Sequence, residues 1–323
     1  MRKCQNKIRK DQKLRHDEEY KVQLSMIEAE ASDSLRFAIK LAREKGASSW
    51  VTARPLHTHS TVLHKGDFRD AIHIRYGWEP LNLPARCGCG EPFEVAHAMT
   101  CMAGGFRGLM HNEVEYLYSV AFKEAGYKDV VREPHLQPLT GENLAKFKSA
   151  NREDEARSDI RVLGFWSRLR RAFFDITAFS PYARSNRPRS MKSLYRSAER
   201  RKYREYHQRI LDVEHGDFNP LVFSSSGGMG PQAAMVTKRL CQKLAEVQDL
   251  PVAEVTGWLR CRVSFALLRS TLICLRGSRP YRPKKDKEEI VIELAVAETR
   301  LEIARGTKRK TMEKAEMQRW SRE

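Results

Sequence analysis

The stretch ARCGCGEPFEVAHAMTCMAGG, residues 85–105, gathers Cys87, Cys89, His97 and Cys101 in the pattern C-x-C-x7-H-x3-C. Thiolate sulfur and imidazole nitrogen are the donors that a tetrahedral zinc site takes. A C-x-C step on a glycine turn can set two thiolates on one ion, and Gly88 and Gly90 permit the backbone angles such a turn needs. His97 and Cys101 are four residues apart, so one helical turn points both the same way. Four protein ligands close the coordination sphere, which makes the expected role structural rather than catalytic. His111 is the substitute ligand if one of the four fails. The bland alternative is a loop with incidental thiols, and the clustering of four ligands weighs against it. His57, His59 and His64 have no cysteine or carboxylate at useful spacing and read as a surface loop.

A second set of residues offers different chemistry. Asp159 lies in ARSDIRVLGF and Asp175 in AFFDITAF, both otherwise apolar segments where a charge needs a reason. If the two segments form a hairpin through WSRLRR, period-two alternation puts Phe173, Asp175 and Thr177 on one face, and pairing brings Asp159 to Asp175. Adjacent carboxylates repel, and a hard divalent cation such as Mg²⁺ or Mn²⁺ relieves that. The competing explanation is a pair of strand-end aspartates bridged to the neighbouring arginines.

The helix that follows adds cations. In ERRKYREY, Glu199, Lys202 and Tyr206 stand at i, i+3 and i+7 and share one face. A lysine there can contact a phosphate or hold an attacking water. Arg196, Arg200, Arg201, Arg204 and Arg209 can follow a nucleic-acid backbone, although a helix that is merely basic and solvated would look the same. GGMG at residues 227–230 lacks the GK[ST] ending of a phosphate loop and reads as a strand-to-helix turn.

The elements that must position these groups change character along the chain. Residues 5–45 are charged and helix-prone, with Gly46 as the stop. A loop and a short amphipathic helix over residues 68–76 precede the cysteine stretch. HNEVEYLYSVAFKE has helical spacing and ends at Gly126. VVREPHL, SDIRVLGF and RAFFDITAF read as strands. A basic helix over roughly residues 191–211 follows, then the strand NPLVFSSS and a helix over about 231–248. That alternation predicts an α/β fold with a mixed sheet. Residues 288–304 read as a solvated helix in a charged tail.

Charge and cysteine usage narrow the function classes. The 323 residues carry 59 basic and 41 acidic side chains, a formal +18, which implies polyanionic partners. No signal peptide is legible, and no apolar run reaches the roughly 20 residues of a membrane span. VSFALLRSTLICL, residues 263–275, is short, carries Arg269 and reads as a buried helix. An odd count of seven cysteines, four of them scattered, suits a reducing compartment and metal-bound thiols.

Taken together, CGCG…HAMTC, RSDI, FFDIT, ERRKYREY and VEHGDFNPLVFSSSGGMG resemble the restriction-like endonuclease region found downstream of the reverse transcriptase in non-LTR retrotransposons. GASSWVTARPL and FRDAIHIRYGW are similar to the segment that precedes the CCHC zinc knuckle in such proteins. The likeness covers residues 46–280. It implies a PD-(D/E)XK nuclease-like mixed sheet flanked by helices, preceded by a helical segment and a small zinc knuckle. The implied boundaries are a helical N-terminal segment (1–80), the knuckle (81–110), the nuclease-like domain (111–280) and a charged tail (281–323).

The resemblance also implies roles. Asp159 and Asp175 would bind the catalytic metal, and Lys202 would replace the lysine usually found two residues after the second acid, where this chain has Thr177. Lys192 is the second choice for that lysine. Glu113 or Glu115 would add a carboxylate from the first helix. Two departures stand out: Ser158 occupies the position of the family's proline, and Met110 that of an arginine. No Y-x-D-D polymerase signature is present in these residues.

The expected activity is Mg²⁺-dependent nicking of DNA, with Asp159, Asp175, Lys202, Tyr206 and Glu199 at the site and zinc on Cys87, Cys89, His97 and Cys101. Arg196, Arg200, Arg201 and Arg204 would hold DNA or the element's RNA, with the element's reverse transcriptase portion as a partner. A chromosomal target implies the nucleus, and no membrane partner is expected. The alternative is a nucleic-acid-binding module that uses the knuckle and the basic helix without catalysis.

Overall fold

The computed structural model describes residue 18, residues 33–142 and residues 156–279. The first part of the helix expected over residues 5–45, and the helix expected over 288–304, lie outside the described residues. Of the described residues, 33–85, 93–142 and 156–278 belong to one compact unit, and the short segment Arg86–Pro92 to a second.

In the larger unit, α1 (Asp33–Ala42), α2 (Ser49–Thr52) and α3 (Lys65–Tyr76) precede a one-turn helix α4 (Val95–Ala98) and the long α5 (Leu109–Glu124). Strands β1 (Lys128–Arg132), β2 (Ile160–Leu163) and β3 (Arg171–Phe179) follow. Next come α6 (Met191–Lys202), a π-helical turn (Tyr203–His207) and α7 (Gln208–Asp212). Strand β4 (Asp217–Ser224), α8 (Pro231–Gln248) and α9 (Val252–Arg276) complete the order. This is a mixed α/β fold.

The four strands form one sheet in the order β1-β2-β3-β4. β1 and β2 are antiparallel, β2 and β3 are antiparallel, and β4 runs parallel to β3. A parallel pair needs a crossover, and α6 to α7 supply it. VVREPHL is a shorter strand than its composition suggests. β1 ends at Arg132 because Glu133 takes a left-handed φ of 46° and Pro134 has no N–H to donate, leaving His135 in a single bridge to Arg157.

Alternation along the strands sorts the two faces of the sheet. Phe174 meets Phe122 of α5 and Phe165 at ring separations of 4.8 and 5.2 Å, and Phe223 meets Tyr118 of α5 at 5.6 Å. Phe173 and Phe218 face the other way, packing with Ile210, Tyr203 and Tyr206 of the crossover. Each buried aromatic ring contributes about 2–3 kcal/mol by removal from water. Asp175 shares the face of Phe173, so the alternation that builds the core also aims this carboxylate at the crossover helix.

The basic helix expected over residues 191–211 is interrupted by its π turn. Within it, Tyr203 lies edge-on to Phe218 at 5.8 Å and Tyr206 stacks on the same ring at 5.6 Å and 22°. The wider turn accommodates both tyrosines against β4, and it begins at the residue after Lys202.

The 263–275 stretch lies within α9 and supplies most of its buried residues; the helix packs on α5 and α8. Arg269 emerges from it to donate to the carbonyls of Ser60 and Val62. Among the described residues no helix is long and apolar enough to cross a membrane. The GGMG turn is structural: a Cβ on Gly228 would run into the Glu44 carboxylate and the Tyr195 hydroxyl.

Candidate functional site

The register of β2 against β3 pairs Ile160 with Phe174 and Arg161 with Phe173, so one step further along Asp159 stands opposite Asp175. The hairpin expected from alternation is therefore formed, and it brings the two carboxylates together. Asp159 Oδ2 accepts the backbone N–H of Ile176, which fixes the side chain beside the strand. Ser158, where the resemblance calls for proline, is buried and donates its hydroxyl to Phe174 O at 3.0 Å, so the same strand end is tied down by another means.

Lys202 reaches this pair from α6. Its Nζ lies 3.2 Å from Asp175 Oδ1 and 3.0 Å from Oδ2. Only the Oδ1 contact has hydrogen-bond geometry; Oδ2 is buried and accepts no hydrogen bond, so its contact with the ammonium is Coulombic alone. Asp175 is 4 % exposed. Burial, reinforced by the charge of Asp159 and opposed by Lys202, pushes its carboxyl up to about 7. Burial works against the Lys202 charge, but Asp175 outweighs it and holds the ammonium above its ordinary value. The Lys202 ammonium also sits 5.2 Å from the centre of the Tyr206 ring. Burial raises the Tyr206 hydroxyl, which stays protonated at neutral pH.

His111, at the start of α5, completes the cluster. Its Nε2 is 3.3 Å from Asp159 Oδ1, and its Nδ1 is 2.9 Å from the carbonyl of Ile176. Both ring nitrogens face acceptors, which favours the doubly protonated ring. The hydrogen bond to Asp159, partly offset by burial, raises its pKa to about 9. The reserve zinc ligand of the sequence reading is thus a carboxylate partner. Neither Glu113 nor Glu115 of α5 joins the site: Glu115 is locked in a two-pronged pair with Arg132 at 2.7 Å, and Glu113 is exposed.

Glu199 shares a helix with Lys202 but turns elsewhere. Its Oε1 accepts the N–H of Gln232 at 2.9 Å, in the first turn of α8, and burial raises its pKa. That position satisfies an N–H the helix cannot satisfy itself. Arg209 is also displaced from its expected role. It is 1 % exposed and donates to Gln137 O at 2.9 Å, so it is not available to a nucleic-acid backbone.

The other basic residues do lie outward. Lys192, Arg196, Arg200 and Arg204 are exposed and recur every four residues, about 6 Å apart along the axis. With Arg189 and Tyr203 they line an open groove of about 830 Å³. Arg201 is exposed beside them. Lys192 belongs to this groove, and Lys202 is the lysine that meets Asp175.

In the segment Arg86–Pro92, Arg86 bridges Pro92, and the Cys87 N–H donates to Glu91 O at 2.8 Å across a tight turn. Gly90 takes φ +90° in that turn, which only glycine adopts without strain. Further on, the Cys101 N–H donates to His97 O at 2.8 Å, the helical turn expected from their spacing. The ligand atoms of Cys87, Cys89, His97 and Cys101 all lie within 4.8 Å of one another, a group able to hold a metal ion. His57 to His59 form a short exposed 3₁₀ turn, and His64 caps α3 by accepting the Gly66 N–H.

No protein-family model matches the chain, and no curated protein matches it significantly.

Proposed function

We infer that the chain is a metal-dependent DNA endonuclease of the PD-(D/E)XK type, with a structural zinc on Cys87, Cys89, His97 and Cys101. The observation that carries this reading is Asp175: a buried carboxylate, opposite a second carboxylate, with one oxygen that accepts no hydrogen bond. Hard oxygen donors that repel one another are what Mg²⁺ or Mn²⁺ takes, and Asp159 and Asp175 are the residues that would hold it. When bound, such an ion supplies Lewis-acid polarisation of the phosphodiester and lowers the pKa of a water ligand. The order α5, β1 to β3, α6, β4, with the two acids on neighbouring strands, supports the same reading.

The chain's own residues then have separable tasks. Lys202 places a fixed positive charge against the carboxylates, where it opposes negative charge growing on a phosphoryl oxygen. His111 holds Asp159 in one orientation between Nε2 and the Ile176 backbone. The Lys192–Arg204 stripe draws in the phosphate backbone and is sensitive to salt. A chromosomal DNA target would place this work in the nucleus, beside the reverse transcriptase portion of an element of the kind the motifs resemble.

One observation favours a second reading, a non-catalytic binding module: each carboxylate already has a cationic partner, Asp159 in His111 and Asp175 in Lys202. Cleavage of DNA in Mg²⁺ by the wild type and by Asp159→Asn separates the two. A nuclease loses cutting but not binding in the variant; a binding module cuts in neither.

A further inference from the structure

The basic groove on α6 has an aromatic neighbour. Arg189, which lines it, is two residues from Arg187, which lines a second groove of about 310 Å³ walled by Phe37, Trp78, Tyr182, Glu79 and Glu94. The Arg187 guanidinium sits 5.5 Å over the Phe37 ring, and Tyr182 meets Phe37 edge-on at 5.6 Å. Trp78 is 54 % exposed and stacks on Tyr76, itself 44 % exposed, at 5.1 Å and 24°.

Two large rings left in water at one place mark an interaction surface. The platform is also rigid. The Trp78 backbone N–H donates to His73 O at 2.8 Å, and the His73 ring braces the indole edge-on at 5.7 Å. Gly77 before it takes φ +69°, and a Cβ there would meet Ser34 O at 2.6 Å, so the turn is pressed against α1. A preformed surface loses little entropy on binding.

We propose that this groove takes an unpaired base of a nucleic-acid strand, stacked on Trp78, while the phosphates of the same strand run along Lys192, Arg196, Arg200 and Arg204. The inference rests on the nucleic-acid reading of the basic groove and not on catalysis. Glu94 is already paired with Arg184 at 3.0 Å, so Glu79 is the carboxylate left to select which part of the strand enters. It repels phosphate and accepts hydrogen bonds from the amino groups of bases. Arg187 supplies the cation at the junction, and aromatic stacking accepts a base face without regard to sequence. A base held in a duplex keeps both faces covered by its neighbours and cannot enter, so the groove selects single strands.

The test is binding of a fluorescent single strand of roughly 15 nucleotides, as DNA and as RNA, and of the same DNA sequence as a duplex. All are measured by anisotropy in EDTA, which removes cutting from the readout. Trp78→Ala should weaken single-strand binding roughly tenfold, the order of one lost stack. Trp78→Phe should keep most of the affinity, and duplex binding should change by less than about twofold in either variant. Loss confined to DNA or to RNA still supports the groove and names its strand. Equal single-strand binding by wild type and Trp78→Ala would overturn the proposal and leave the rings to a protein partner. An equal loss for single strand and duplex would overturn it too, as would a wild type that binds neither. A protein that never nicks in Mg²⁺ but shows the selective Trp78 effect would sink the nuclease reading and leave this one standing.

Discussion

Lys202 and Asp175, 27 residues apart on a helix and a strand, form an ion pair in which the ammonium lies 3.0 Å from a carboxylate oxygen that accepts no hydrogen bond. The pair sits within reach of a second acid, Asp159, and a second cation, His111. Two negative and two positive groups in a mostly buried cluster make an arrangement that a divalent cation or a phosphate would reorganise.

That cluster should govern how stability depends on pH in the metal-free protein. Asp175 is raised from 3.8 to about 7, so the folded state holds a proton that the unfolded state releases, and stability falls as pH rises through that range. His111 is raised from 6.5 to about 9; its contribution is full below the first value and lost as pH passes the second. Urea unfolding in chelator should show a decline across both windows. Asp175→Asn should remove the lower part and His111→Gln the upper, and a stability that rises with pH there would count against the assigned partners.

The Cys87, Cys89, His97 and Cys101 group should hold about one zinc per chain, with all four ligands needed for retention. Metal analysis of purified protein against Cys101→Ser checks this. A full complement of zinc in the variant would show that Cys101 is not a ligand.

The α6 stripe should set the salt dependence of DNA binding. Replacing Arg196 and Arg200 by alanine should lower the slope of log affinity against log salt by about 2 and weaken all sequences alike. An unchanged slope would place the DNA elsewhere.

Glu199 should matter for folding and not for cutting. Glu199→Ala removes the acceptor at the start of α8 and should cost about 0.5–1 kcal/mol, read from the urea midpoint. A large fall in cleavage with no change in stability would return it to the active site.

The parts of the site that could be read from the sequence are those that local periodicity controls. Period-two alternation put Asp175 on the Phe173 face, where strand pairing brings Asp159 to it. Helical spacing gave Lys202 only a face shared with Glu199 and Tyr206, and its place beside the acids was an expectation from the resemblance. Tertiary partners were not legible. His111 lies 48 residues from Asp159 in the chain, and nothing local separates a ligand-like histidine after a cysteine cluster from one that grips a carboxylate. Its only signal was its place at the head of an apolar helix. Glu199 and Lys202 share a face in an ideal helix, yet α8 claims the glutamate because its first N–H groups need an acceptor. Arg209 looks like one more basic residue, but the π turn alters the helical phase before it, and it is buried against Gln137.

Conversion of supercoiled plasmid to open circles in Mg²⁺ or Mn²⁺, comparing wild type with Asp175→Ala, decides whether the Asp159–Asp175 pair cuts DNA. Metal-dependent nicking by the wild type should fall at least about a hundredfold in the variant, while DNA binding persists. Nicking that continues at the wild-type rate in Asp175→Ala, or a wild type that binds DNA with neither metal promoting a cut, would contradict that role for the pair.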